Sequence, residues 1–170
     1  MATYTSTKSQ IFSLDMVIAA VLFTAGLIFF YKYSIDLMES QQDVAGNLAT
    51  NANLLSNFII SQGYPVGWNK TNVIIIGISD NKRINETKVK MFSEIDYEQT
   101  RSLLSTHNDY YLFFENSAGD LVDINNVKGV GKSGVNTTNL VEVENPRDIV
   151  KMYRYSLYNS EIIRVGLYVW

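Results

Sequence analysis

Cysteine is absent from the 170-residue chain, which excludes a disulfide framework and any thiolate metal site. The absence does not argue against export, because a domain of roughly 100 residues buries enough core to fold without staples. Histidine occurs once, as His107, so a Ser–His–Asp arrangement cannot be supported from spacing. With Asn108 and Asp109 beside it, His107 reads as the end of a short helix rather than as a metal ligand. The 14 basic residues are scattered instead of clustered, and net charge is −3, so the counterion-releasing footprint of a nucleic-acid binder is missing. Proline is nearly absent too. No proline interrupts the chain before Pro65.

What is present is apolar and aromatic. Apolar residues make up 46% and charged residues 18%, enough for a real core and unlike a disordered tail. Eleven tyrosines, eight phenylalanines and two tryptophans suit strands and subunit contacts better than a helical bundle.

Residues 16–31, MVIAAVLFTAGLIFFY, form a run of 16 without a charge. Extended to residues 11–33 it reaches the ~20 residues that cross a bilayer core, with Lys32 able to snorkel and Tyr31 and Tyr33 at the interface. Asp15 then lies inside the apolar segment, where a lone carboxylate costs about 2.5–3.5 kcal/mol and calls for a partner. Four readings compete. A cleaved secretory signal needs small residues after its apolar stretch, and here Phe29-Phe30-Tyr31-Lys32-Tyr33 follows. A buried core helix, apolar all round, is rare in so small a domain. A plain signal anchor leaves Asp15 without a role. A helix that assembles with other copies explains both features.

The helical period continues through Leu37, Met38, Val44, Ala45, Leu48, Ala52, Leu55, Phe58 and Ile59, with polar residues between them. Gly63 and Pro65 stop it. Four segments result: a short basic leader (1–10), a transmembrane helix (11–33), an amphipathic extension (34–62) and a β-rich head (63–170). In the head, residues 73–78 read as a buried strand and residues 79–82 as a turn. Residues 87–95 are ambiguous between strand and loop, and residues 96–104 read as a short helix. Residues 110–115 and 121–124 read as a hairpin, residues 127–138 as an exposed Gly-rich loop. Residues 149–158 and 161–170 form the clearest hairpin, turning at Asn159-Ser160, with Ile163, Val165, Leu167 and Val169 on the core face. The fold class is α+β: a long N-terminal helix packed on an antiparallel sheet of about four to six strands.

Other motifs fail on inspection. Gly131-Lys132-Ser133 resembles the end of a phosphate loop, but Asn126 stands where its first Gly belongs. Asp120, Asp123, Asn125 and Asn126 lack the Gly and closing Glu of a calcium loop and read as turn residues. Neither cofactor nor metal is expected. Asn69-Lys70-Thr71, Asn85-Glu86-Thr87 and Asn136-Thr137-Thr138 are N-glycosylation sequons, all outside the membrane helix.

The string Lys8-Ser9-Gln10-Ile11-Phe12-Ser13-Leu14-Asp15, running into a hydrophobic helix, resembles the class III signal sequence of archaeal type IV pilin-like proteins. The long helix, the β-rich head and the sheet-forming C-terminus are similar to that group in architecture. The resemblance implies that a prepilin peptidase cuts between Gln10 and Ile11, which makes Ser13 the third and Asp15 the fifth mature residue. The family usually has Gly before the cut, where this chain has Gln10, and Glu where it has Asp15. It also implies that the carboxylate pairs with the new α-amino group of a neighbouring subunit, fixing register between helices. The expected function is therefore a non-enzymatic subunit of a cell-surface filament, single-pass in the membrane with its head outside the cell. The partners expected are the membrane, further pilin-like subunits and the peptidase, with no nucleic acid. The alternative is a monomeric, unprocessed membrane-anchored binding or sensor domain; a surface enzyme has only His107 to offer.

Overall fold

The computed structural model describes the backbone of residues 6–170 and the side chains of residues 14–35 and 45–170. The chain divides into two compact units, Met1–Val44 and Ala45–Trp170. A single helix, α1 (Ser6–Ile60, 55 residues), supplies almost all of the first unit and the opening turns of the second. Its length follows from sequence: no proline before Pro65, and apolar residues that recur at steps of three, four and seven. Gly63 ends it. At φ +73° that residue sits in the left-handed region, and an added Cβ would lie 2.6 Å from Trp68 Nε1.

In the second unit six strands form one mixed sheet in the order β1-β2-β5-β6-β3-β4. The strands are β1 (Ser79–Asp80), β2 (Arg83–Ile84), β3 (Tyr110–Glu115), β4 (Gly129–Gly131), β5 (Val150–Tyr158) and β6 (Glu161–Val169). Every pairing is antiparallel except β2 with β5, where Arg83 faces Leu157 in parallel, so the all-antiparallel sheet expected is corrected to a mixed one. The β5–β6 hairpin turns at Asn159 and Ser160, both at positive φ, the geometry whose twist matches the strands it joins. Three short helices complete the unit: α2 (Glu86–Ser93), α3 (Tyr97–Leu103) and α4 (Leu140–Glu144).

The core lies between one face of the sheet and the last turns of α1. Leu48, Ala52, Leu55 and Ile59 are the buried stripe of the helix, spaced by three and four residues. Against them stand Leu112 and Phe114 of β3 and Ile163, Val165, Leu167 and Val169 of β6, the face expected from alternation. Arg154 of β5 reaches the helix as well, its guanidinium bonding the Asn53 and Asn57 amide oxygens.

Four local expectations are corrected. Residues 73–78 form no sheet strand: Ile76 and Ile78 are buried, but the backbone bonds go to the helix end (Ile78 N–H to Ile59 O, 2.8 Å) and to Tyr64. Residues 87–95, left between strand and loop, belong mostly to helix α2, because the Asn85 side chain caps it by accepting the Lys88 N–H at 3.1 Å. Residues 121–124 hold only a single bridge to β3, from Leu121 to Glu115. The sheet neighbour of β3 is instead β4, inside the segment expected to be an exposed loop, with Val127, Val130 and Val135 buried.

The opposite face of the sheet is built from aromatic rows. Phe113, Gly166 and Tyr153 are direct cross-strand neighbours, and an added Cβ on Gly166 would run into the Phe113 ring. Gly166→Ala should therefore cost about 1–3 kcal/mol through forced repacking of that ring. Urea unfolding of the wild-type and variant proteins checks it, with a lower midpoint and unchanged slope expected.

Candidate functional site

The first unit offers one surface. Leu14–Ile35, 22 residues of mean hydropathy 2.1, is long and apolar enough to cross a membrane at about 1.5 Å per residue. None of that window is buried by the rest of the chain. Met16, Val17, Ile18, Val21, Leu22 and Phe23 are all exposed, and so are Phe29 and Phe30 near its far end. Six consecutive or near-consecutive apolar residues lie on every side of a helix, so no fold of this chain could cover them with one packed face. The Thr24 hydroxyl donates to the Ala20 carbonyl at 2.7 Å, which satisfies it without water. Asp15 is exposed at the start of the window, and Tyr31, Lys32 and Tyr33 stand exposed at its other end. Gln10, Ile11 and Ser13 belong to the backbone of α1, and their side chains lie outside the described residues. A segment of this kind serves as a membrane anchor or as a signal sequence.

The second unit holds three polar clusters that composition and spacing did not reveal. In the first, the buried Lys88 ammonium donates to Asp80 Oδ1 (2.6 Å) and to the Gln62 carbonyl (2.8 Å), just past the end of α1. Asn85 Nδ2 donates to the other oxygen of Asp80 at 2.6 Å. Burial works to raise the Asp80 carboxyl, and the hydrogen bonds from Lys88 and Asn85 outweigh it, holding the group below its ordinary value. The asparagine that caps α2 recruits the lysine three residues on. An Asn-x-x-Lys spacing alone could not have announced that.

In the second cluster Lys132 bridges Asp109 (2.8 Å) and Glu144, while the Tyr97 hydroxyl donates to Asp109 at 2.9 Å. Trp170 Nε1 donates to Glu144 at 3.3 Å, and the backbones of Asp109 and Trp170 exchange two hydrogen bonds. Burial pushes the Asp109 carboxyl up, but Lys132 and Tyr97 outweigh it and hold it low. The hydrogen bond to Asp109, then the one to Glu144, pushes Lys132 above the ordinary lysine value.

The third cluster covers the aromatic face. The Lys151 ammonium lies 4.7 Å from the Tyr153 ring centre, 5.0 Å from Tyr168 and 5.2 Å from Phe113. Glu115 joins it, 3.2 Å from Arg164 and bonded by the Tyr153 hydroxyl at 3.3 Å.

No family model, curated protein or solved structure matches the chain. What it can do is read from its own residues. Among the described residues no group of three or more histidines or acids is placed to hold a metal ion. His107 is exposed, and its carbonyl accepts from Arg101. Lys132, from the phosphate-loop-like tripeptide, is committed to Asp109 and Glu144. Asp120 bonds Asn116 in a turn, and Asn125 and Asn126 form a two-residue turn at positive φ. A polar cleft of about 400 Å³ near the β5–β6 turn is lined by Arg83, Glu86, Tyr158 and Ser160, with the Tyr158 hydroxyl donating to Glu86 at 2.8 Å. The sequon asparagines fare differently from one another. Asn69 and Asn136 are exposed, whereas Asn85 is partly buried and bonded through both side-chain ends.

Two outcomes follow. Lys88→Ala strands the Gln62 carbonyl and the partly exposed Asp80, and should cost about 1–3 kcal/mol, measured by denaturant unfolding of the full chain in detergent. Asp80 and Asp109 are both held low, so the stability they contribute is present above the unfolded carboxylate value and is lost as pH falls through their depressed values. The thermal midpoint should drop below about pH 4, and Asp109→Asn should make that acid limb shallower.

Proposed function

We propose that the chain is a subunit of an archaeal type IV pilin-like surface filament, anchored by Leu14–Ile35 and assembled through that same helix. The carrying observation is a 22-residue apolar surface, exposed on every side, with Asp15 at its start. Such a surface needs either lipid or other helices around it, and Asp15 needs a counter-charge once it leaves water. One arrangement meets both needs. Before assembly the helix lies in lipid; in the filament it exchanges lipid for the helices of neighbouring copies. Cleavage between Gln10 and Ile11 would create an α-amino group at the start of each helix. That group on one copy offers the charge that Asp15 on another requires.

The β-rich unit then lies on the outside of the cell. Its cysteine-free core suits any redox environment, since nothing in it depends on a thiol. The runner-up is a monomeric anchored domain that keeps residues 1–10.

The intact mass of protein extracted from membranes separates the two, because processing removes residues 1–10. Asp15→Ala should still insert into the membrane yet lower filament yield by more than about tenfold, since stranding the partner charge in an apolar contact costs about 3–5 kcal/mol. An unshortened mass with protein dispersed over the envelope would overturn the filament reading in favour of the monomer.

A further inference from the structure

The three Asn-X-Thr sequences meet three backbones, and two of them converge on one geometry. At Asn69 the side-chain oxygen accepts the Thr71 N–H at 2.9 Å and the Thr71 hydroxyl at 2.7 Å. At Asn136 the oxygen accepts the Thr138 N–H at 2.9 Å, the Thr138 hydroxyl at 2.7 Å and the Asn139 N–H at 3.0 Å. Both asparagines and both threonines are exposed. Asn85 shares with Asn136 only a backbone donor three residues on, and differs in the rest. Its oxygen caps α2 through Lys88, its nitrogen donates into the Asp80 carboxylate, and Thr87 is a residue of the helix instead of a partner.

These differences bear on reactivity. A carboxamide nitrogen is a poor nucleophile because its lone pair is delocalised onto the oxygen. Donors gathered on that oxygen stabilise the negative charge that builds there as a nitrogen proton leaves, which frees the nitrogen pair to attack. Asn69 and Asn136 each carry a backbone donor and a hydroxyl donor on the oxygen, and among the described residues their Nδ2 groups donate to nothing. Asn85 has its nitrogen engaged with a carboxylate that also holds the buried Lys88.

We infer that Asn69 and Asn136 are acceptor sites for N-linked saccharide and that Asn85 is not. The inference rests on the surface reading above, since the donor is a saccharide carried on a lipid phosphate and the transferase acts outside the cytoplasm. In the transfer, Nδ2 forms a bond to the anomeric carbon. The bond from that carbon to the phosphate oxygen breaks, the phosphate leaves with the electron pair, and the nitrogen proton passes to a base of the transferase. A sugar on Asn85 would displace the bond to Asp80 and loosen the clasp that Lys88 makes at the end of α1. The fold therefore protects that sequon by using its side chain.

The test is glycopeptide mass spectrometry of the full chain extracted from membranes of cells that produce it. Saccharide mass on the peptides bearing Asn69 and Asn136, with the Asn85 peptide bare, is the expected result. Thr71→Ala and Thr138→Ala should each erase the saccharide at their own site alone, and Thr71→Ser should retain it. Saccharide on Asn85, or bare peptides at both other sites, overturns the inference. Protease added to intact cells tells the two failures apart. A head that is cut on intact cells while both sites are bare sinks the modification alone; a head that resists while both are bare sinks the surface reading with it.

Discussion

The contact on which the second unit depends is the seam between the last turns of α1 and the sheet. Leu48, Ala52, Leu55 and Ile59 present one stripe, and the alternating residues of β3 and β6 present the face that receives it. Neither surface could be left in water: burying a large aliphatic side chain is worth about 1.5–3 kcal/mol, and at least eight such side chains meet here. The polar devices are arranged around this seam. Arg154 ties the sheet to the helix flank through Asn53 and Asn57, Lys88 satisfies a carbonyl past the helix end, and Ile78 and Ser79 donate to Ile59 and Ser61.

The same helix carries two kinds of apolar surface, and the difference lies in angular width. From Leu48 onward Asn53 and Asn57 stand on the outer side and, apart from the exposed Leu54 and Phe58, the large apolar residues keep to one stripe packed on the core. From Leu14 to Ile35 they occupy every side. A stripe asks for one partner surface and finds it within the chain. A complete apolar cylinder asks for an apolar medium, which a single small domain does not contain.

The features legible in the sequence were those set by local periodicity. The long helix was visible over residues 11–62 because no proline interrupts them and apolar residues recur at steps of three, four and seven, and the β5–β6 hairpin because Ile163, Val165, Leu167 and Val169 alternate cleanly after a two-residue turn. Residues 96–104 read as a short helix, and α3 forms there with Asp96 as its cap. What was hidden depended on partners distant in the chain. Residues 73–78 carry strand composition, yet their hydrogen bonds go to the end of a helix. Gly129-Val130-Gly131 carries loop composition, yet it pairs with β3, because the crowding against the Tyr111 ring and backbone there admits only glycine. The candidate site divides in the same way. The apolar surface and Asp15 could be read directly, and so could three sequons; that one of those asparagines is occupied as a helix cap and carboxylate ligand required Asp80, which no spacing rule connects to it.

The position of β6 sets the order in which this protein can come into being. Among the six strands it is the last to be made, yet it lies in the interior of the sheet, between β5 and β3. Residues 110–115 are synthesised some fifty positions earlier and must wait, with one long edge open, until residues 161–169 arrive. The apolar helix emerges from the ribosome well before that moment. Whatever apolar surroundings take up that helix can therefore claim it before the sheet has closed.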